Sequence, residues 1–320
     1  MELPLVDDRG PSTEYVSEES ILPGPSLDDS SVRQLNLKHP LDTGVLVSIG
    51  GGQAAWVGVI EQGGDYRMAV VLYMYRSDGT FTERLLDATV SGDESDLCTC
   101  VRRGELWIFG ANRVSPATCS DVSVLDLATE QWRTIPRTGV WPERLHTIGS
   151  ALQGEMWYIR GFQHTGSIRD SYNEPRMYGF NLDTCLWTDP MDPKTILLSQ
   201  LNDISDNGIL FSPRTKRVYS RSSEGHIHFL THCPQPSCHV GLVMERHLAF
   251  FGDADDKGVL YWYCLVSGEW MRSATPISGI PMEYCLIGQD TAMVVTMQNW
   301  PRLVRAYLVN LSVPGGDGCQ

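Results

Sequence analysis

Three nine-residue windows of this chain align without gaps, and that repetition constrains the fold more than any other feature. They are Val124–Trp132 (VLDLATEQW), Gly179–Trp187 (GFNLDTCLW) and Trp262–Trp270 (WYCLVSGEW). Each sets a Leu five residues ahead of a Trp: Leu127 and Trp132, Leu182 and Trp187, Leu265 and Trp270. Each reads as strand, polar turn, strand. A weaker copy, Tyr73–Phe81 (YMYRSDGTF), ends on Phe81. The aromatic anchors are 51, 55 and 83 residues apart. The last interval spans nearly two periods, so a degenerate unit is expected within it, around Arg217–Leu230. Fifty residues follow Trp270, room for one more unit. A period of about 47 residues marks a repeat architecture whose units bury their apolar surface against their neighbours. The expected count is six.

From residue 32 onward few stretches keep a helical apolar stripe. Short apolar or alternating runs take its place: Val45–Ile49, Ala54–Ile60, Met68–Tyr75, Leu106–Phe109, Val122–Leu127, Met156–Ile159, Arg176–Asn181, His247–Phe251, Val259–Val266, Ala292–Met297 and Leu303–Leu311. Turn residues such as Asp78-Gly79, Gly104, Gly154 and Asp256-Lys257-Gly258 separate them. Many short strands with regular punctuation predict an all-β sandwich, barrel or propeller. Upstream of each anchor a Gly follows a strand: Gly63-Gly64, Gly110, Gly161 and Gly252. These glycines are expected to turn the backbone where a side chain would collide.

This combination resembles the Kelch repeat, a four-stranded unit with a Gly-Gly doublet after the second strand and a spaced Tyr/Leu and Trp flanking the turn between the third and fourth. Pro142-Glu143-Arg144-Leu145-His146 is similar to the lead-in of many such repeats. The likeness covers about residues 33–313 and is best over 97–190. Only the first unit keeps both glycines, the fourth has neither doublet nor Trp, and the sixth, Glu283–Leu311, lacks a fourth strand. The resemblance implies an all-β, six-bladed β-propeller with four-stranded antiparallel blades. A ring of sheets must close, and pairing the first and last strands in one blade removes exposed edges. Val32–Pro40 is similar to the fourth strand of other units, so it is expected to complete the last blade. The domain reading is a tail over 1–31, the propeller over 32–314 and a flexible end over 315–320.

Residues 1–31 hold eight acidic side chains and a single base, Arg9, a net −7 that is half of the chain's −14. Four prolines and no apolar period predict a disordered acidic tail. The acidic balance argues against nucleic-acid or anionic-membrane partners. No run is long and apolar enough for a transmembrane helix, and no basic-then-apolar leader opens the chain, so a cytoplasmic or nuclear, non-secreted protein is expected. Nine scattered cysteines, an odd number, fit reduced thiols, with Cys98 and Cys100 on one face of a strand. The Asn310-Leu311-Ser312 sequon carries no meaning without secretion.

Four constellations could carry chemistry. Gly50-Gly51-Gly52-Gln53-Ala54-Ala55 fits a phosphate-binding G-x-G-x-x-A pattern, but Val57, Val59 and Ile60 favour strand over the helix such a site needs. His226, His228, His232, Cys233, Cys238 and His239 crowd one segment, without the spacing of a common zinc finger; among them His226, His228, Cys233 and Cys238 are the weak metal candidates. Ser77-Asp78-Gly79-Thr80-Phe81 reads as a Gly-supported hairpin turn rather than a sialidase-type aspartate box. Asp253, Asp255 and Asp256 read as a solvated loop rather than a calcium site. No cofactor is expected.

In Kelch propellers the loops between strands two and three and between blades share one face. The longest here, Ala111–Asp121 and Phe162–Pro175, hold Arg113, His164, Arg169, Asp170 and Tyr172, expected to bind a protein or peptide partner. The resemblance implies a non-catalytic interaction module, a scaffold or adaptor recruiting a partner to a ubiquitin ligase or cytoskeletal complex. With 31 polar residues before the first strand, no F-box or BTB-like helical region is expected ahead of it. The alternative is a propeller enzyme, acting on a sugar or using a metal at the loop face; the main expectation is that the chain is no enzyme.

Overall fold

The computed structural model describes residues 16, 20–24, 27, 30–62, 65–86, 91–92, 97–112, 122–136, 138, 145–163, 176–188, 202–203, 209–212, 217–222, 227–234, 242–243, 246–254, 257–299 and 302–312. Among them the repeated window folds as one recurring hairpin. Asp126 Oδ1 accepts from the N–H of Ala128 and Thr129 at 2.9 and 2.7 Å. Asn181 Oδ1 does the same for Asp183 and Thr184 at 3.0 and 2.9 Å. Cys264 Sγ takes the equivalent place, accepting from Ser267 N–H at 3.4 Å. The residue two before each aromatic anchor is left-handed: Gly79 (φ 81°), Glu130 (59°), Cys185 (56°) and Gly268 (73°). The repeated Leu then ties this hairpin to the turn between the first two strands of its sheet. Leu127 N–H donates to Gly104 O, Leu182 N–H to Glu155 O and Leu265 N–H to Arg246 O, at 3.0, 2.9 and 2.9 Å. Asn310-Leu311-Ser312 is a further copy: Ser312 N–H donates to Asn310 Oδ1 at 2.9 Å, and Leu311 N–H to Asp290 O at 2.6 Å.

The chain is nearly all β, and the described strands form six sheets of four or five strands plus a two-stranded ribbon. The first sheet is Leu41–Gly50, Gln53–Gln62, Asp65–Tyr75 and Phe81–Leu86. The second is Cys98–Arg102, Glu105–Phe109, Val122–Asp126 and Trp132–Thr134. The third is Leu145–Gln153, Met156–Gln163, Arg176–Asn181 and Leu186–Trp187. The fourth is Asn202–Asp203, Ile209–Ser212, Arg217–Arg221 and Ile227–His232. The fifth is Leu242–Val243, His247–Ala254, Lys257–Cys264 and Trp270–Ser278. The sixth is Ile280–Leu286, Thr291–Asn299 and Arg302–Asn310, completed by Val32–Leu35 pairing antiparallel with Arg302–Asn310. That pairing lies where the sequence calls for a missing fourth strand, over a shorter span than 32–40.

The chain divides into two compact units, residues 37–199 and residues 1–36 with 200–320. In the first unit the second and third sheets share a core of Trp107, Phe109, Val124, Trp157, Phe180 and Trp187, with Cys98 and Cys100 on that same face. In the other unit the two faces of one strand serve two cores. Leu248 and Phe250 pack toward the fourth sheet, while Ala249 and Phe251 pack toward the sixth. In the next strand Tyr261 and Tyr263 go one way, Leu260 and Trp262 the other. Period-2 alternation with both faces buried explains why these strands read as unbroken apolar runs.

Two expectations are corrected. Part of the segment 1–31 is ordered: Leu22–Pro23 pairs parallel with Met271 and Arg272, and Gly24 N–H donates to Arg272 O at 2.7 Å. Leu27 joins the core between the fifth and sixth sheets, and Val16 and Ile21 pack on the core between the fourth and fifth. Average composition hid these few apolar residues and the open edge of Trp270–Ser278 that receives them. Gly161 and Gly252 lie inside strands that run on to Gln163 and Ala254, so only Gly110 (φ 88°) turns a strand end; Gly63 and Gly64 lie outside the described residues. In line with the strand reading of Val57, Val59 and Ile60, Gly51-Gly52 forms the tight turn from Leu41–Gly50 into the strand Gln53–Gln62, with no helix to receive a phosphate.

Candidate functional site

Up-and-down strand order gives every sheet two unlike ends. The turns between strands one and two, and between three and four, lie at one end. The connections between strands two and three, and the links to the next sheet, lie at the other. The first end is built from short hydrogen-bonded turns, among them Arg76–Thr80, where Thr80 N–H donates to Asp78 Oδ1 at 2.8 Å. In the unit 37–199 its charges are paired, across neighbouring sheets or within one. Arg102 Nη2 and Arg103 Nη2 reach Glu155 Oε1 at 2.5 and 2.9 Å, and Arg103 Nη1 reaches Asp183 Oδ1 at 2.7 Å. Arg84 pairs with Glu130, and Arg133 with Glu105 at 2.7 Å. Hydrogen bonding from Arg102 holds the Glu155 carboxyl below its ordinary range, and hydrogen bonds from Thr129 and Thr80 do the same for Asp126 and Asp78. Charges satisfied in this way fix turns.

The opposite end carries the long connections, from Phe109 to Val122 and from Gln163 to Arg176. Its two kinds of connection meet at one place: Ala111–Asn112, leaving the second strand of the second sheet, pairs with Ser91–Gly92 in the link from the first sheet. Arg113, His164, Arg169, Asp170 and Tyr172 belong to these connections and lie outside the described residues. The strands at either side are buried there, with Phe109, Val122 and Met177 all at most 1% exposed.

In the unit containing residues 200–320, the same end holds a polar cluster that sequence reasoning missed. Leu303, Arg305 and Tyr307 alternate onto one face of Arg302–Asn310, opposite Gln298, Thr296 and Val294 of the neighbouring strand. Deeper on that face Tyr307 and Val309 enter the apolar core against the fifth sheet. Ser278, the last residue of the fifth sheet, closes over the top. Thr296 Oγ1 donates to Ser278 O at 2.8 Å, Ser278 Oγ lies 2.9 Å from Tyr307 Oη, and an Arg305 Nη1–H donates to the same Oγ. Thr296 and Tyr307 are buried, Arg305 is half-buried, and Leu303 is 41% exposed. Among the described residues no carboxylate pairs with Arg305. Its parts are scattered over some thirty positions, and no spacing rule links an Arg in one strand to a Ser in another sheet.

The metal candidates do not assemble among the described residues. His228 is exposed on the outermost strand of the fourth sheet, whereas Cys233 is fully buried in the core beside the fifth. His226 and Cys238 lie outside the described residues. His232 Nε2 accepts from Arg217 Nε at 3.1 Å, which turns that ring nitrogen away from a metal. No group of three or more metal-binding side chains occurs among the described residues. Burial raises the Cys100 and Cys285 thiols far above their ordinary range, so neither is a nucleophile.

No family model and no curated protein matches this chain. Solved structures do. A protein of unknown function from Bacteroides thetaiotaomicron VPI-5482 matches with a TM-score of 0.50 and 13% identity over 91% of this chain and 75% of its own. Virginiamycin B lyase from Staphylococcus aureus matches with a TM-score of 0.46 and 12% identity, over 87% of this chain and 98% of its own. A luciferin-regenerating enzyme matches with a TM-score of 0.49 and 10% identity, over 90% and 98%. The likeness is one of β-propeller-like folds. Enzymes stand among these neighbours by name, which says nothing of this chain's own activity; the expectation that the chain is no enzyme is withdrawn.

Proposed function

We propose that the chain is a six-bladed, Kelch-like β-propeller enzyme that takes a small substrate at the long-connection end of its sheets. The observation that carries this reading is the contrast between the two ends. One is closed by short turns whose hydrogen bonds and ion pairs are used up in holding the sheets. The other carries the long connections in the unit 37–199 and, in the unit holding residues 200–320, a half-buried guanidinium with one donor engaged among the described residues. Variable loops on a rigid scaffold are where binding and catalysis are usually built. Six successive sheets, and an N-terminal strand completing the sixth, support the ring. The named activities of the structural neighbours fit the enzyme class and fix no substrate for this chain.

The test is to incubate the purified full-length chain with a small-molecule extract and follow it by time-resolved mass spectrometry. The proposal expects a compound consumed in many-fold molar excess over protein, and its consumption lost in an Arg113→Ala/Arg169→Ala variant whose melting temperature is unchanged. No compound consumed beyond one equivalent sinks it. A protein partner at the same end is the second reading, supported by the Arg and Tyr content of these connections. Affinity purification of the tagged chain tests it: partners retained by the wild type and lost by the same variant support it, and partners retained by both do not.

A further inference from the structure

A guanidinium brought partly out of water normally meets a carboxylate, because desolvating a charge without a counter-charge is costly. Arg305 is half-buried at the edge of an apolar core, and its partner is a serine hydroxyl. Arg presents five N–H donors in a planar fork suited to a carboxylate. One of these is engaged among the described residues.

The surroundings hold this fork in place. Thr296 fixes the Ser278 carbonyl, and Tyr307 fixes the Ser278 hydroxyl. The chain leaves Ser278 through Gly279 at φ 91°, where an added Cβ would sit 3.0 Å from Met297 O and 3.1 Å from Thr296 Oγ1. Ser278 is thus held from its backbone and its side chain, and it in turn positions Arg305. A donor set held in this way at the edge of an apolar core is preorganised for a ligand. The chemistry limits which ligand. Among the described residues the guanidinium meets a neutral hydroxyl and no second charge, so it balances one negative charge, and a chain of net charge −14 disfavours polyanions. Leu303, two residues along the same face and 41% exposed, offers apolar contact beside the fork.

We propose that Arg305, Ser278 and Leu303 form a site for a small organic monocarboxylate, the carboxylate taken bidentately by Arg305 and the apolar body laid on Leu303. The inference rests on taking the long-connection end as the ligand end, but it needs no turnover. Phenylacetate is the probe, titrated into the full-length chain by calorimetry and saturation-transfer NMR, with 2-phenylethanol and inorganic phosphate as comparisons. The wild type binds phenylacetate below about 10 mM, within reach for a ligand this small, and binding weakens as salt rises. Arg305→Gln weakens it by about tenfold or more, because charge-assisted bidentate contacts are the strong ones. Should Arg305→Gln fail to fold, Leu303→Glu sets a carboxylate, like-charged with the ligand, beside the fork at an exposed position and abolishes binding in a folded protein. The site is refuted if phenylacetate does not bind, if the alcohol binds as well, if phosphate binds more tightly, or if both variants bind like the wild type. Phenylacetate binding through Arg305 with no compound consumed from the extract would leave this site standing and remove the enzyme reading. Consumption of a compound by a chain that does not bind phenylacetate would do the reverse.

Discussion

Gly58 and Gly44 face each other across the first two strands of the first sheet, under the indole of Trp56. A Cβ added to Gly58 would lie 2.3 Å from Thr43 O, 2.5 Å from Gly44 Cα and 2.9 Å from Trp56 Nε1. Two of the three are backbone atoms, so no rotamer change relieves the clash, and Trp56 is fully buried with nowhere to go. Overpacking a tight site costs about 1–3 kcal/mol, and a backbone clash belongs at the upper end, about 3 kcal/mol. Gly79→Ala is the control. Its added Cβ meets nothing within 4 Å, yet φ is 81°, so it reads conformational cost alone, about 1–2 kcal/mol. Urea unfolding of the full chain should rank Gly58→Ala clearly below Gly79→Ala, with Tm lowered by about 2–4 °C for each kcal/mol. Equal losses would refute the packing argument, and a harmless Gly58→Ala would refute the register of the first sheet.

Other perturbations follow from the same contacts. Deleting residues 1–36 strips Val32–Leu35 from Arg302–Asn310 and uncovers an edge; melting temperature should fall and size-exclusion chromatography should show self-association, whereas an unchanged profile would contradict the pairing. Leu182→Ala removes a side chain buried in the core of the second and third sheets and should cost about 2–5 kcal/mol in chemical unfolding; a loss under 1 kcal/mol, on the order of a surface change, would count against the repeated Leu as a tie. Asp78, Asp126 and Glu155 have carboxyl pKa values lowered in the folded state, so their stabilisation is present above the unfolded carboxylate pKa and is lost as pH falls through the folded value. Thermal melts should therefore decline below about pH 4, and Asp126→Asn should soften the decline while keeping the turn, as Asn181 does in its own hairpin. Cys100 and Cys285 should resist alkylation at pH 8 in the native protein and react on unfolding; prompt native reaction would show that their burial is wrong.

The repeat was legible because it is local. A turn-forming side chain, a left-handed position and an aromatic that starts the fourth strand lie within nine residues, and all three windows fold alike. The copy at Asn310-Leu311-Ser312 escaped notice because its fourth strand is supplied from the other end of the chain, so no aromatic follows the Leu. Cys264 escaped as the counterpart of Asp126 because a thiol is a weaker acceptor for the same N–H. The order in Leu22–Pro23 was hidden because a two-residue strand depends on the edge it meets, not on its own propensity. The Arg305 cluster was illegible for a related reason. Its partners converge from separate strands, and nothing in the sequence marks an arginine whose partner among the described residues is a serine until the strands are paired.

The central claim is that ligand chemistry belongs to the long-connection end of the sheets, and a pair of charge insertions tests it most directly. Leu303→Glu lies at that end, and Val266→Glu lies in an exposed turn at the other, where Val266 is 64% exposed. Consumption of compounds from the same extract is followed for the wild type and both variants. The account predicts that Val266→Glu behaves as wild type while Leu303→Glu loses activity at unchanged melting temperature. Loss in Val266→Glu with Leu303→Glu unaffected would contradict it.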